Sequence, residues 1–220
     1  MAKLKISELP RTNAANPNDL LYIKKTVGKI NGSILEVGAR FNATGFKKFF
    51  TEPCDNCLHN DPVQYFGTDL EAGPDVDYVC DLTADENTLP KNAFDLVLCC
   101  SVMEHVTKPW VMAEKITEVV RPGGQLFISV PWAWRYHAYP DDYFRFSHRG
   151  IESLYPEFTW SNFAYAGEQG GDIRWVNPGE IGRDSKWTIM HTNVDGSQKK
   201  YIPYLLVMML GTKKDAETSC

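Results

Sequence analysis

No stretch of this sequence approaches the roughly 18 to 20 consecutive apolar residues of a membrane span, and its opening, MAKLKISELPRTNAANP, has no apolar signal core. A cytosolic protein without a membrane partner is the expectation. Basic charge is also scarce: 23 Lys and Arg stand against 28 Asp and Glu, a net −5. A phosphate-neutralising face for duplex nucleic acid is therefore not expected, and a small or neutral acceptor suits the chain better.

Cysteine is too sparse for a disulfide scaffold, six in 220 residues, and reads as reduced thiol. PCDNCLH places Cys54 and Cys57 in a CxxC with a histidine nearby, but no second CxxC or HxxxH completes four zinc ligands, which leaves ordinary loop cysteines. Cys99 and Cys100 lie inside an apolar run, where the thiol acts as a small buried hydrophobe. Glycine is missing at one telling place, SILEVGARFNATGF (33–46). A dinucleotide loop needs glycine at the second and third positions of GxGxxG so that backbone amides can reach a pyrophosphate, and Arg40 and Ala43 stand there. Pyrophosphate binding is disfavoured.

What is present alternates. An opening helix, NPNDLLYIKKTVGKI, has Asn16 or Asn18 as its cap and Leu20, Leu21, Ile23 and Val27 on one side. Then come a strand at 33–37, a short helix in NATGFKKFF, and strands at 63–70, 76–82 and 94–100. In TKPWVMAEKITEVV, Thr107 can cap a helix with Pro109 in its first turn and Val111, Met112, Ile116, Val119 and Val120 as its buried stripe. RPGG ends it, and QLFISVPW is a fifth strand. This order predicts one α/β domain with a mostly parallel sheet and helices on both faces, its ligand at the carboxyl ends of the strands.

Those ends carry acids: Glu36 on the first strand, Asp69 on the second, Asp81 on the third. A lone loop aspartate is usually a turn former. Three acids on three consecutive strands favour a ligand with hydroxyls and positive charge but no phosphate, for which S-adenosylmethionine is a candidate.

At these residues the chain resembles class I S-adenosylmethionine-dependent methyltransferases. The likeness runs from about Ile34 to Phe158 through ILEVGAR, YFGTDLEAGPDVDYVCDL, FDLVLCCSVMEHV, VVRPGGQLFISVPW and HAYPDDYFRFSHRGIESL, and is nearest a bacterial and phage branch with EVGSR first loops and H-x-YPxDYxRF after the fifth strand. The resemblance implies a Rossmann-like, mostly parallel seven-stranded sheet whose antiparallel last strand lies beside a sixth, places that 158–167 and 201–212 can fill. It implies a single domain over 1–220, with a helical cap at 1–30, an insertion over the site at 168–200 and a polar tail at 212–220. It further implies that Glu36 and Gly38, with the backbone of Ala39, Arg40 and Phe41, hold the methionine end of S-adenosylmethionine. Asp69 with Leu70 would take the ribose, Asp81 and Leu82 the adenine, and Cys100 and Ser101 would form the wall beneath the donor.

For chemistry, methyl transfer needs positioning and a group to take a proton. His137 is the candidate general base, with His105 second, while Trp132, Asp142, Tyr143 and Arg145 would bind or orient the acceptor. Small-RNA 2'-O-methyltransferases and ubiquinone-pathway O-methyltransferases hold magnesium with a Glu-x-x-Glu-His run. Here Ser101 stands in the first place before Glu104 and His105, so no metal is expected. The sequence reading is O-methylation of a small or saccharide-like acceptor, against a rival in which a methyltransferase-like module binds without turnover. Residues 5–23 resemble a segment of phage structural proteins, which would bear on origin and not on activity.

Overall fold

A computed structural model describes residues 17–40, 45–52, 63–86, 88–137, 141–167, 171, 173–177, 189–192, 195–201 and 204–215. The main sheet has eight strands in the order β3-β2-β1-β4-β5-β10-β6-β7. β1 (Ser33–Val37), β2 (Gln64–Asp69), β3 (Tyr78–Val79), β4 (Phe94–Cys100) and β5 (Val120–Ala133) pair in parallel. β6 (Phe158–Ala166), β7 (Ile173–Trp175) and β10 (Leu205–Lys213) complete the sheet through antiparallel pairs. A separate hairpin joins β8 (Ile189–Thr192) and β9 (Gln198–Tyr201).

Side chains alternate across the sheet with a period of two, so each strand feeds two cores. Leu35, Val97, Cys99, Leu126 and Ile128 pack on one face with Met112 and Ile116 of α3 (Pro109–Val119) and Ile151 of α4 (His148–Leu154). Ile34, Leu96, Leu98, Phe127 and Met208 pack on the other with Tyr22 and Ile23 of α1 (Pro17–Thr26) and Phe46 and Phe50 of α2 (Phe46–Thr51). Both faces are covered, which is why β4 is apolar almost throughout. Among the described residues no helix is long and apolar enough to cross a membrane.

Four expectations change. The sheet has eight strands and not seven, because Ile173–Trp175 of the 168–200 insertion pairs with β6 at the sheet edge, with Trp175 stacked on Tyr22 at 5.1 Å. The third strand is two residues long instead of seven: the Asp77 carboxylate accepts the Gly67 amide at 2.9 Å, and Asp81 turns onto the Thr83 amide and hydroxyl at 2.8 and 2.7 Å. Thr107 does not cap α3; Lys108 holds the cap position without a side-chain bond, and its carbonyl accepts the Val111 and Met112 amides. RPGG lies within β5 as an irregularity between the pairs Phe94–Val120 and Leu96–Gln125, with Gly123 at φ 71°.

α1 also turns differently. Leu21 is exposed, whereas Asn18 and Asp19 are buried with Tyr22 and Ile23. Asn18 makes this possible by donating to the Gly167 carbonyl at 3.0 Å and accepting the Gly171 amide at 2.7 Å, which fastens the helix to the chain after β6. Asn16, Cys54, Cys57 and Phe41 lie outside the described residues.

Candidate functional site

The carboxyl ends of β1, β2 and β3 meet through backbone contacts. The Gly38 and Ala39 amides donate to the Thr68 carbonyl at 2.9 and 3.2 Å, and the Cys80 amide donates to the Asp69 carbonyl at 2.9 Å. Gly38 has φ 82°, and a Cβ placed there would come within 2.7 Å of Val102 Cγ2, so a turn this tight requires glycine. The next residues close the loop without further glycine: the Arg40 amide donates to Asp69 Oδ2 at 3.1 Å, and its guanidinium pairs with Glu71. Asp69 Oδ1 accepts the Glu71 amide at 3.3 Å, so one carboxylate ties the two loops together.

Glu36 is buried and accepts a hydrogen bond from Tyr65 Oη at 2.6 Å. Leu70 is exposed, Leu82 is buried, and Asp81 sits in the exposed turn with Thr83. At the end of β4, Cys100 is half-buried and Ser101 adopts φ 52°, a conformation that costs energy in a residue with a Cβ and that clusters at functional sites. The Ser101 amide is held by the Ser129 carbonyl at 2.8 Å. Burial, then the charge of Asp19, pushes the Cys100 thiol well above its ordinary range, so it is a neutral wall group.

A second constellation forms where β4 runs into a 3-10 helix (Met103–His105) and the chain after β5 folds over it. The Tyr143 amide donates to the Glu104 carbonyl at 2.8 Å, and His105 Nδ1 lies 2.6 Å from the Asp141 carbonyl. His105 and His137 meet edge to face with centroids 4.9 Å apart. Arg145 grips Asp142 with two bonds of 2.5 and 2.7 Å and also donates to the Trp134 carbonyl. Asp142 Oδ2, which takes one of these two bonds, also accepts the His137 amide at 2.9 Å and lies 3.2 Å from His137 Nδ1. The Arg145 guanidinium holds the Asp142 carboxyl well below the usual carboxylate range.

These contacts fix both imidazoles. The partners of each Nδ1 are acceptors only, a carbonyl for His105 and a carboxylate and the Arg135 carbonyl for His137, so Nδ1 carries the proton of the neutral ring. Both Nε2 lone pairs are then available, 3.7 Å (His105) and 3.9 Å (His137) from Glu104 Oε1. Burial lowers the His105 pKa and keeps that ring neutral. Glu104 is 1% exposed, neither of its oxygens has a hydrogen-bond partner among the described residues, and burial pushes its pKa up to about 8. One ligand atom from each of Glu104, His105 and His137 lies within 4.8 Å of the others. Two imidazoles and a carboxylate, with both Nδ1 atoms anchored behind, form a donor set that fits a divalent transition metal.

The sequence therefore indicated both histidines but not the acid between them. Glu104 figured there only in an incomplete run beside Ser101, whereas the fold supplies His137 as the third group. Asp142 and Arg145 pair with each other and brace the loop. Trp132 is 40% and Tyr143 48% exposed, and Tyr136 at 66% was not singled out in the sequence.

Comparisons with known proteins follow this geometry. Residues 46–128 match the family described as Methyltransferase domain. The ubiquinone biosynthesis O-methyltransferase of Shewanella pealeana is 30% identical over 128 residues, 52% of this chain and 50% of that protein. That of Klebsiella pneumoniae subsp. pneumoniae is 35% identical over 60 residues, 27% of this chain and 25% of that protein. The chain thus spans half or less of the length of these curated relatives. Among solved structures, a putative methyltransferase from Bacillus halodurans superposes with a TM-score of 0.60 at 12% identity, covering 89% of this chain and 98% of that one. The 1,6-didemethyltoxoflavin-N1-methyltransferase of Burkholderia thailandensis, solved with S-adenosylhomocysteine, gives 0.53 at 14% identity, covering 93% and 80%. These likenesses show the fold.

Proposed function

We propose that the protein transfers a methyl group from S-adenosylmethionine to an oxygen of a small-molecule or saccharide-like acceptor, a reading supported by the match of residues 46–128 to the methyltransferase-domain family and by the order of the sheet. The observation that carries this reading is the pair of neighbouring constellations at the carboxyl end of the sheet: an acidic loop region at Gly38, Asp69 and Asp81, and a histidine with an anchored tautomer at His137. The resemblance in EVGAR and HAYPDDYFRF supports the branch named above.

S-adenosylmethionine supplies an electrophilic methyl on a sulfonium and brings no phosphate, which suits a turn whose one obligatory glycine is Gly38. Gly38, Ala39 and Arg40 line the methionine side, Asp69 and Leu70 the ribose side, and Asp81 and Leu82 the adenine side. Glu36 acts through Tyr65 and stiffens β1 beneath the loop. Cys100 and Ser101 close the floor. At the acceptor, His137 Nε2 takes the hydroxyl proton as the new oxygen–carbon bond forms, and Asp142 stabilises the resulting imidazolium. Trp132 and Tyr143 offer exposed aromatic faces to an acceptor ring. Oxygen is favoured over nitrogen because a hydroxyl must lose its proton and a base is in place. The ubiquinone O-methyltransferase relatives point the same way.

A metal reading shares this site. Glu104, His105 and His137 would hold a divalent ion that lowers the pKa of an acceptor hydroxyl. Incubation with methyl-labelled S-adenosylmethionine and a panel of phenols, sugars and amines, with magnesium, manganese or zinc and with a chelator, tests both. Label on hydroxyl acceptors is expected; label confined to amines would overturn O-methylation. Turnover unchanged by chelator would remove the metal reading, and no label on any acceptor would favour a binding module.

A further inference from the structure

Asp19 sits in the first turn of α1 at 2% exposure, and its Oδ1 has no hydrogen-bond partner among the described residues. A buried carboxyl with one oxygen left unsatisfied is costly, and holding α1 in place does not explain it, because Asn18 already fastens this turn at Gly167 and Gly171. Its carboxyl lies within hydrogen-bonding reach of Ser129 of β5, and its charge acts on Cys100 of β4. Cys100 and Ser129 are register partners at the carboxyl end of the sheet, where β4 breaks into the left-handed Ser101. The carboxyl therefore reaches, from the helix side, the same floor that the loop after β1 approaches along the sheet. Glu36 of β1 acts on Cys100 in the same direction as Asp19, and so does Glu104 of the 3-10 helix once ionised, so the field at this floor turns negative as Asp19 loses its proton. A negative, desolvated spot beneath a bound ligand selects for a positive centre in that ligand.

We propose that Asp19 is a specificity-determining residue that recognises the positive charge of the methyl donor, so that the charged donor is held more tightly than the neutral spent product. This rests on the methyltransferase reading above. Turnover benefits directly: once the methyl leaves, the sulfur is neutral and the attraction to Asp19 is gone, which speeds release.

The probes are S-adenosylhomocysteine, neutral at sulfur, and sinefungin, which carries an amine near the position of the transferred methyl. Titration calorimetry of the full chain is expected to show sinefungin bound more tightly than S-adenosylhomocysteine, and Asp19→Asn to lose on the order of tenfold for sinefungin alone, the size of one charged hydrogen bond. Burial pushes Asp19 up to about 7, so wild-type affinity for sinefungin rises between pH 6 and 8 as the carboxylate forms. Glu104, which also titrates up to about 8, is retained in Asp19→Asn, and a flat profile in that variant separates the two groups. Equal losses for both ligands, or no loss for either, would overturn the role of Asp19. Should Asp19→Asn fail to fold, a flat wild-type profile would overturn it as well. Failure of the wild type to bind S-adenosylhomocysteine would instead overturn the methyltransferase reading itself.

Discussion

His137→Ala is expected to lower kcat by about 10²- to 10⁴-fold while leaving affinity for S-adenosylhomocysteine unchanged, the signature of a lost proton acceptor. The imidazole meets the requirements of a base. Asp142 receives its amide at 2.9 Å and faces its Nδ1 at 3.2 Å, and Asp142 is itself immobilised by the two Arg145 bonds. The Nε2 lone pair is thereby directed to the side where Glu104 and His105 lie, and the side chain is 31% exposed, within reach of an entering acceptor. A bracing role alone would predict a different outcome, because the loop is held by Arg145 and by the Tyr143 amide on the Glu104 carbonyl, and neither contact needs the imidazole. Full turnover in His137→Ala, measured with labelled donor at saturating acceptor, would remove it as the base. Asp142→Asn should share part of the loss by permitting the wrong tautomer.

The second large effect concerns Glu104 and pH. Burial raises its pKa from 4.5 to about 8, so the folded chain holds this proton more tightly than the unfolded chain. Between about pH 4.5 and pH 8 the unfolded chain has released the proton and the folded chain has not, and stability therefore falls as pH rises. The slope is about 1.4 kcal/mol per pH unit for a single such group. Asp19, raised from 3.8 to about 7, adds to the fall in the lower part of that window. Glu104→Gln removes the upper part. Its melting temperature should pull ahead of the wild type as pH rises from 6 to 8.5, by roughly 2 to 4 °C for each kcal/mol relieved in a chain of this size. Thermal melts of both proteins at four pH values are the measurement, and parallel curves would show that Glu104 does not bind a proton in the folded state.

The sequence makes the strands plain and the site less so, for physical reasons. β1 and β4 were legible to the residue because continuous apolar runs bounded by Gly32 and by the turn at Ser101 leave one reading. Asp69 stands at the end of β2 as its local pattern indicates, whereas Asp81 falls in a turn two residues beyond β3, which the apolar run VDYVCDL does not reveal. The meeting of Glu104 with His137 was not legible, since the chain from β5 returns to the 3-10 helix through tertiary contacts that no local pattern encodes. The buried face of α1 differs from the sequence reading because polarity and periodicity place Leu21 on the apolar side and Asn18 at the cap, whereas the hydrogen bonds of Asn18 to Gly167 and Gly171 turn Asn18 inward and leave Leu21 exposed. β7 was hidden for a related reason: IRW is too short to read as a strand until β6 offers it an edge.

In the proposed function the loop after β1, Asp69 at the end of β2 and Asp81 in the turn beyond β3 hold S-adenosylmethionine. Titration calorimetry with S-adenosylhomocysteine and with NAD tests it most directly. Micromolar or tighter binding of S-adenosylhomocysteine is expected, abolished in Asp69→Ala because that carboxylate ties the loop at the Arg40 amide and would face the ribose, with no binding of NAD. Binding of NAD in place of S-adenosylhomocysteine, or of neither, would contradict it.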